Sequence, residues 1–597
     1  MDIDLERRIK DTINQLSQWT NENIDFDQMD PVAKMMLVAL IGEGRKLKDY
    51  VDYAEQRIFE RYSSTFIPYE KEGAIPAIAL IQPVFRHPEK DGGLVNVGSG
   101  ALFTARNSNG RQTLNFIPLF GTTLIPHTDI YLVTSDKLTY GQASHPIKME
   151  EKSNVAWIGI TTNTEIESLQ GVSLFITGTK GISPHEIRVG SDNRRMEFST
   201  MNEFENMDMV EPFDAQQSSE KFFSIIHKWK EHLMIIEDTS LIYLTDDIYD
   251  RDLFKPRAFP KVFQKWLVNE TLDCFKPNTI WLKLVFPEGY VVPESLKIAL
   301  NVLPVVNVDV NNLTLTPSSP IAKLQKQDNS FFLSVLETST DSHKQGYSKT
   351  SEEIIIRDFD ASCYNNSDLY RDVRNLYNRF VDDYYAFVEY NGIRDGEVLK
   401  HLRETINKTG KSVAEKNIKD KFDSGTYAMK IMNQESLTTS TKVSFLTTHG
   451  KMGNSLLELE MENKKLPPLK PKVPVVVAPM GGTDKASADE HYEHLRYYSL
   501  TNDRLYTKMD VDAFLRKEIM AEFGKEEFKR IIIKISIEGA GGLYALQRGL
   551  YIDIEFKDKK NYEKAVHDSF DKLMKQKIES KSCIAMPIIL NLKNLEE

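Results

Sequence analysis

Two histidines, a carboxylate pair and three cysteines come nearest, by type and spacing, to residues that do chemistry. His491 and His494 stand three apart, close enough on a helix to share a face and to begin a zinc site. A zinc centre needs at least a third ligand, and no His-Glu-x-x-His pattern occurs, so a polar helix face is expected instead. Asp358 and Asp360 fall on one side of a possible strand, where paired carboxylates can hold a divalent cation or divide acid–base work. That spacing is equally common on ordinary strand surfaces. Cys274, Cys363 and Cys583 lie too far apart for a paired-cysteine metal signature or a disulfide framework, and read as free thiols in a reducing compartment.

Glycine-rich stretches offer phosphate binding, and two come near its requirements without meeting them. Gly539–Gly542 leads into a strand rather than a helix, and no Gly-Lys-Ser/Thr follows it. Gly450-Lys451 lacks the glycine five positions earlier, where Phe445 stands. No Gly-x-Ser-x-Gly elbow is present either. The residues therefore point away from an enzyme, and no catalytic residue, metal or cofactor is expected.

The elements that would position any site follow from periodicity. Leu5, Ile9, Ile13 and Leu16 step by three and four, one apolar stripe on a short helix that either faces a partner or packs on its own domain. Asp30-Pro31 marks a second helix start, with Asp as N-cap and Pro in the first turn, running to about Arg61 with a weak middle at Gly42 and Gly44. After Pro68, short apolar runs such as Phe116–Phe120, Val155–Ile160 and Val172–Ile176 are punctuated by turn residues, the pattern of a β-sandwich or similar domain. In the stretch Ile298–Pro317, Val306, Val308 and Val310 alternate with Asn307, Asp309 and Asn311; Asn311-Asn312 is read as a turn and the whole as a hairpin.

Leu369 to Thr409 reads as helix again, and five prolines between Lys464 and Gly482 read as an extended connector. Beyond it come a helix over 510–523, strands through Ile533, Ile535 and Ile537 and through Ile552, Ile554 and Phe556, a helix over 561–579 and a closing strand. The pattern predicts an α+β, multidomain chain. Its parts are an N-terminal helical segment (1–66), a β-rich domain (67–210), a mixed β-rich domain with a hairpin at 298–317 (211–365), a helical and connecting region (366–463), a Pro-rich linker (464–482) and a small C-terminal α+β domain (483–597).

Composition bounds the rest. A length of 597 residues suits several domains, and 41% hydrophobic with 27% charged residues is ordinary for a folded chain. A net charge of −12 argues against a nucleic-acid binder. The charged N-terminus has no apolar run behind it, and no stretch approaches the length of a membrane helix, so a cytoplasmic protein without direct membrane insertion is expected.

Three stretches, taken in order, resemble the TssF family, a baseplate wedge subunit of type VI secretion systems. They are Asp30 through Phe66 followed by Ala77–Pro83; the β region with Gly98–Thr104, Phe116–Leu119 and Leu169–Gly178; and Asn301–Asn307 with Ser318–Ile321 after it. Arg548–Ile554 looks like the family's Arg-Gly-hydrophobic strand. The Pro-rich stretch and the C-terminal unit depart from the family pattern, as in a divergent lineage of the Bacteroidetes type. The resemblance implies a structural, non-enzymatic subunit. Two copies would join one TssG in a wedge bound by TssK, supporting sheath and tube, in indirect contact with the spike hub, sheath and membrane complex and docked at the inner membrane through the assembled baseplate. It makes Leu5, Ile9, Ile13 and Leu16 candidate partner-interface residues. The alternatives are a wedge subunit of a phage-like or extracellular contractile particle, and a β-rich hydrolase whose separated carboxylates escape sequence reading.

Overall fold

Valine and isoleucine at every second position demand strands with a buried face, and in a computed structural model of the chain they find it on two scales. The description covers most of residues 73–200, 239–346 and 424–597, the helix 31–41, the strand 354–359 and scattered residues between them. The chain forms two compact units, Glu72–Lys485 and Met1–Lys71 with Ala486–Glu597. The result is a strand-rich, multidomain α+β fold.

A six-stranded closed barrel anchors the larger unit. Its strands run in the order Ile78–Ile81, Leu303–Asn307, Thr113–Pro118, Phe103–Arg106, Glu460–Asn463 and Lys472–Met480, and the last pairs with the first. One parity of side chains from all six strands forms a single cluster, including Ala79, Ile81, Leu303, Val305, Phe116, Phe103, Met461 and Val473. On the opposite face Ile78, Leu80, Val306 and, across a break in register, Val477 join a second cluster with Phe175, Tyr243 and Leu446. Burial on both faces explains why these strands read as continuous apolar runs.

The hairpin expected at 298–317 does not form. Leu303–Asn307 belongs to the barrel, between Ile78–Ile81 and Thr113–Pro118, whereas Asp309–Leu315 enters another sheet against Thr441–Thr448. Asn311 and Asn312 sit within that strand, opposite Phe445 and Ser444. Their turn chemistry is redirected into cross-strand bonds: Asn311 Nδ2 donates to Thr447 Oγ1 (2.8 Å) and Ser444 Oγ donates to Asn312 Oδ1 (2.7 Å). The asparagine that does turn the chain is Asn301, at φ 62°, a left-handed conformation that asparagine tolerates. Its amide is fixed by two 2.9 Å bonds to the backbone N–H and carbonyl of Ile125.

The Pro-rich stretch is likewise no linker. It is extended, as its prolines require, but residues Lys472–Met480 form a barrel strand, and Pro474 and Pro479 lie inside it. Pairing with Ile78–Ile81 breaks register between Ile78 and Leu80 and again between Leu80 and Ile81, and such irregularities are where a strand accommodates proline.

A sandwich completes the larger unit's first half. A four-stranded sheet (Phe198–Thr200, Thr239–Leu244, Ser173–Thr177, Lys297–Leu300) shares a core with a seven-stranded one. The latter runs Arg194–Met196, Glu186–Val189, Thr279–Val285, Val155–Thr161, Asp129–Val133, Lys137–Tyr140, Ala143–Pro146. Ile158, Ile187, Leu282 and Leu284 face Leu174, Ile176 and Ile242 across that core. On the other face of the larger sheet, Trp157, Trp281 and Tyr131 pack with Phe263 and Phe275. Gly159 makes room there, since a Cβ would lie 2.8 Å from the Trp281 ring.

The smaller unit is built from helices Ala488–Thr501, Lys508–Phe528, Lys559–His567 and Phe570–Lys581 and a sheet of Ile531–Gly539, Arg548–Phe556 and Ile588–Asn594. Ile533, Ile535 and Ile537 oppose Ile554, Ile552 and Leu550, as their alternation predicts. The first two helices start on capping boxes, Ser487 with Glu490 and Thr507 with Asp510. The helix expected over 561–579 is two, divided at Ser569, whose φ is 51°. Near the N-terminus Asp30 caps the helix 31–41 as expected, accepting from the Val32 N–H at 2.8 Å. Most of the helix expected over 369–409 lies outside the described residues.

Candidate functional site

The residues singled out for chemistry do not converge. His491 and His494 share the helix Ala488–Thr501, but among the described residues no group of three His, Cys, Asp or Glu side chains is placed to hold a metal. Asp358 accepts from Thr426 Oγ1 at 2.5 Å and pairs with Lys485 at 2.9 Å, so its charge is engaged; Asp360 lies outside the described residues. Gly450 opens a tight 3-10 turn whose Lys451 N–H donates to Asp484 at 2.9 Å, which closes this loop on a carboxylate instead of a phosphate. Of Gly539–Gly542 only Gly539 is described, at the end of its strand. Cys274 is half-buried and Cys583 exposed, and neither forms a disulfide; Cys363 is outside the described residues.

Two polar centres that sequence reasoning missed are better built. The first sits where the chain leaves the barrel. Asn307, fully buried, donates from Nδ2 to the Asn115 carbonyl (2.9 Å) and accepts at Oδ1 from the His449 N–H (3.1 Å). Its own carbonyl accepts from Thr448 Oγ1 at 2.9 Å. Asn115 also donates to Asp309 (2.6 Å), whose other oxygen lies 3.8 Å from Nε2 of the buried His449. Burial lowers the His449 pKa, and Asp309 only partly opposes this, so the ring is held neutral.

The second lies in the smaller unit. Glu518 pairs with Lys577 (2.7 Å) and Lys517 (3.1 Å), all three largely buried. Lys517 also stands over the rings of Tyr497 and Phe514, 4.9 and 5.6 Å from their centroids. Burial alone would raise the Glu518 carboxyl, but the two ammonium groups hold it well below the usual carboxylate range. Burial raises the Tyr497 phenol, whose hydroxyl donates to Asp503 (3.0 Å). Adjacent Lys517-Glu518 is a weak sequence signal, and the partner 59 residues onward gives none. Both centres are buried networks that tie together elements distant in sequence.

Surfaces are more informative. Of the stripe Leu5, Ile9, Ile13 and Leu16, only Ile13 is among the described residues, and it is buried. The helix 31–41, by contrast, exposes Val32 (59%), Met35 (70%), Met36 (65%) and Leu40 (70%). Their spacing of three, one and four puts them along one side of the helix. A shallow groove of about 260 Å³ in the smaller unit is lined by Leu500, Met509, Ile533 and Ile535, with Arg496, Lys508 and Asp512 beside them. No helix among the described residues is long and apolar enough to cross a membrane.

No protein-family model matches the chain, and no curated protein matches it. Among solved structures it is similar to a chain of the type VI secretion system TssK-TssF-TssG baseplate subcomplex, seen by cryo-electron microscopy. The likeness spans 94% of this chain and 96% of that one, at 12% identity and a TM-score of 0.41.

Proposed function

We propose that this chain is a structural subunit of a contractile secretion machine, the TssF-type component of a baseplate wedge. In this reading it assembles with a second copy of itself, TssG and TssK, acts at the cytoplasmic side of the inner membrane and carries out no reaction. The observation that most supports it is the row Val32, Met35, Met36 and Leu40. A solvent-exposed apolar helix side is unfavourable in an isolated chain and is the mark of a surface covered on assembly. It lies within Asp30–Phe66, one of the stretches on which the family resemblance rests. Of the preceding stripe, Leu5, Ile9 and Leu16 are kept as candidate partner-interface residues, whereas Ile13, buried within the chain, is not.

Co-expression with TssG-like and TssK-like genes, followed by mass measurement of the purified complex, tests this. A complex holding more than one copy of this chain is expected, and Met35→Lys with Met36→Lys should dissolve it while the isolated chain keeps its melting temperature. Separate elution of every component would sink the reading. Intact co-purification of the double variant would remove this helix from the interface.

A further inference from the structure

The sheet of the smaller unit ends on a strand rich in isoleucine. Ile531–Gly539 pairs with Arg548–Phe556 on one side and, among the described residues, with no strand on the other. The backbone groups that face outward can be named. The Lys557 N–H donates to the Arg530 carbonyl (3.2 Å), so even-numbered positions of this strand turn their backbone inward, toward Arg548–Phe556. On the far side of Arg548–Phe556, the Leu550 N–H donates to Pro587 and the Phe556 carbonyl accepts from Leu595, which fits the same alternation. The outward N–H and C=O groups therefore belong to Ile533, Ile535 and Ile537.

An apolar groove runs beside these groups. Ile533 and Ile535 line it from the strand, and Leu500, Met509 and Ala513 line it from the helices Ala488–Thr501 and Lys508–Phe528. Met509, Leu500 and Ile537 are 81%, 60% and 41% exposed. The strand is nine residues long, and its pairing with Arg548–Phe556 has no bulge to twist it away. A regular apolar edge of this kind is a template for one more strand, and the groove is space for that strand's side chains.

We infer that this edge pairs with the same edge of a second copy of the chain, antiparallel about a two-fold axis at Ser536, joining the two sheets into one. The strand's own sequence selects that partner and that register. Lys534 and Glu538 are its only charged residues, and residues 540–547 after it carry no charge. An axis at Ser536 sets Lys534 of each copy opposite Glu538 of the other, and Ile535 opposite Ile537 on the groove face. An axis at Lys534 would oppose two lysines, and one at Ile535 would set Glu538 against Ile532. Lys534 already bonds Glu555 in its own sheet (2.5 Å), so the cross-copy pair acts by choosing between registers. Ile535 and Ile537 in this register are both outward-facing, so they exchange backbone hydrogen bonds. The contact is drawn from this edge alone and does not rest on the baseplate reading.

Sedimentation velocity of the full chain, from below micromolar to tens of micromolar, is the test, and a concentration-dependent dimer is expected. Ile537→Pro removes an outward donor and spares the inward ladder, so it should weaken the dimer about tenfold while the melting temperature holds. Glu538→Lys alone opposes lysine to lysine, and Lys534→Glu alone opposes acid to acid; each should weaken the dimer severalfold. Mixing those two variants should restore the natural affinity, because unlike copies then match at both positions. Amide exchange at Ile533, Ile535 and Ile537 should slow as concentration rises, and it decides the matter with Ile537→Pro if Lys534→Glu fails to fold. A natural chain that stays monomeric throughout would overturn the inference. So would undiminished association of Ile537→Pro, mixtures no tighter than the separate variants, or exchange at the three isoleucines that ignores concentration.

Discussion

The barrel exit and the seam of the smaller unit solve one problem in opposite ways. Each must bury polar groups where elements from distant parts of the chain meet. At the barrel exit neutral amides do so: Asn307 bridges Asn115 and His449, and Asn301 clasps Ile125. In the smaller unit full charges do so, with Glu518 between Lys517 and Lys577. Amides avoid most of the desolvation cost that ions incur, whereas a buried ion leaves a large penalty behind when its partner is removed. The amide centre also contains a titratable base, His449, so it is the one that responds first to acid.

The largest expected effect comes from breaking the ionic seam. Glu518→Gln should destabilise the smaller unit by about 4 kcal/mol, because it leaves two largely buried ammonium groups without their carboxylate. Hydrogen exchange should quicken through Lys508–Phe528 while Leu303–Asn307 keeps its protection; equal loosening of both would erase the contrast drawn above. Asn307→Ala should cost about 3 kcal/mol, since it strands the His449 N–H and removes the bond to Asn115, each a buried loss. Exchange in the barrel strands reads it, and an effect below about 1 kcal/mol would mean that water replaces the amide.

Acid should separate the two regions by pH window. The His449 pKa is lowered on folding, so the unfolded chain takes up a proton that the folded one refuses. Stability at the barrel exit is then full above about pH 6.5 and declines below it, by at most about 1.4 kcal/mol per pH unit. Glu518 is also lowered, but from the carboxylate range, so its contribution persists until the pH falls below about 4.3 and is lost as the folded carboxyl protonates. Exchange measured at pH 5 should therefore show loosening at the barrel exit alone, and His449→Gln should abolish it. Ser487→Ala, which removes one capping-box oxygen, should have the smallest effect, about 1 kcal/mol by thermal melting.

How much was legible in the sequence differs along the same divide. In the smaller unit, strands are consecutive or nearly so, and the alternation of Ile533, Ile535 and Ile537 sufficed to place them. In the larger unit the decisive partners are remote. Asn311-Asn312 has the composition of a turn, and only Thr447 and Ser444, more than 130 residues on, hold it extended. Prolines rightly forbade helix over 464–482, but only the register breaks against Ile78–Ile81 reveal a barrel strand rather than a connector. Local propensity could not see Glu518 with Lys577 either, since two helices must pack before the pair exists. The apolar spacing of the helix 31–41 was visible from the start; its exposure was not, because exposure belongs to the folded surface.

Barrel closure sets a timetable for synthesis. The first barrel strand, Ile78–Ile81, hydrogen-bonds to the last, Lys472–Met480, some 400 residues later. At ribosomal speeds of about 5–20 residues per second, that first strand waits roughly 20–80 s for its neighbour. Through that interval the row of its backbone groups that faces Lys472–Met480 has no native cover. A chain cut short before residue 472 never acquires that cover, so cells that make this protein face their greatest aggregation hazard in unfinished copies rather than in finished ones.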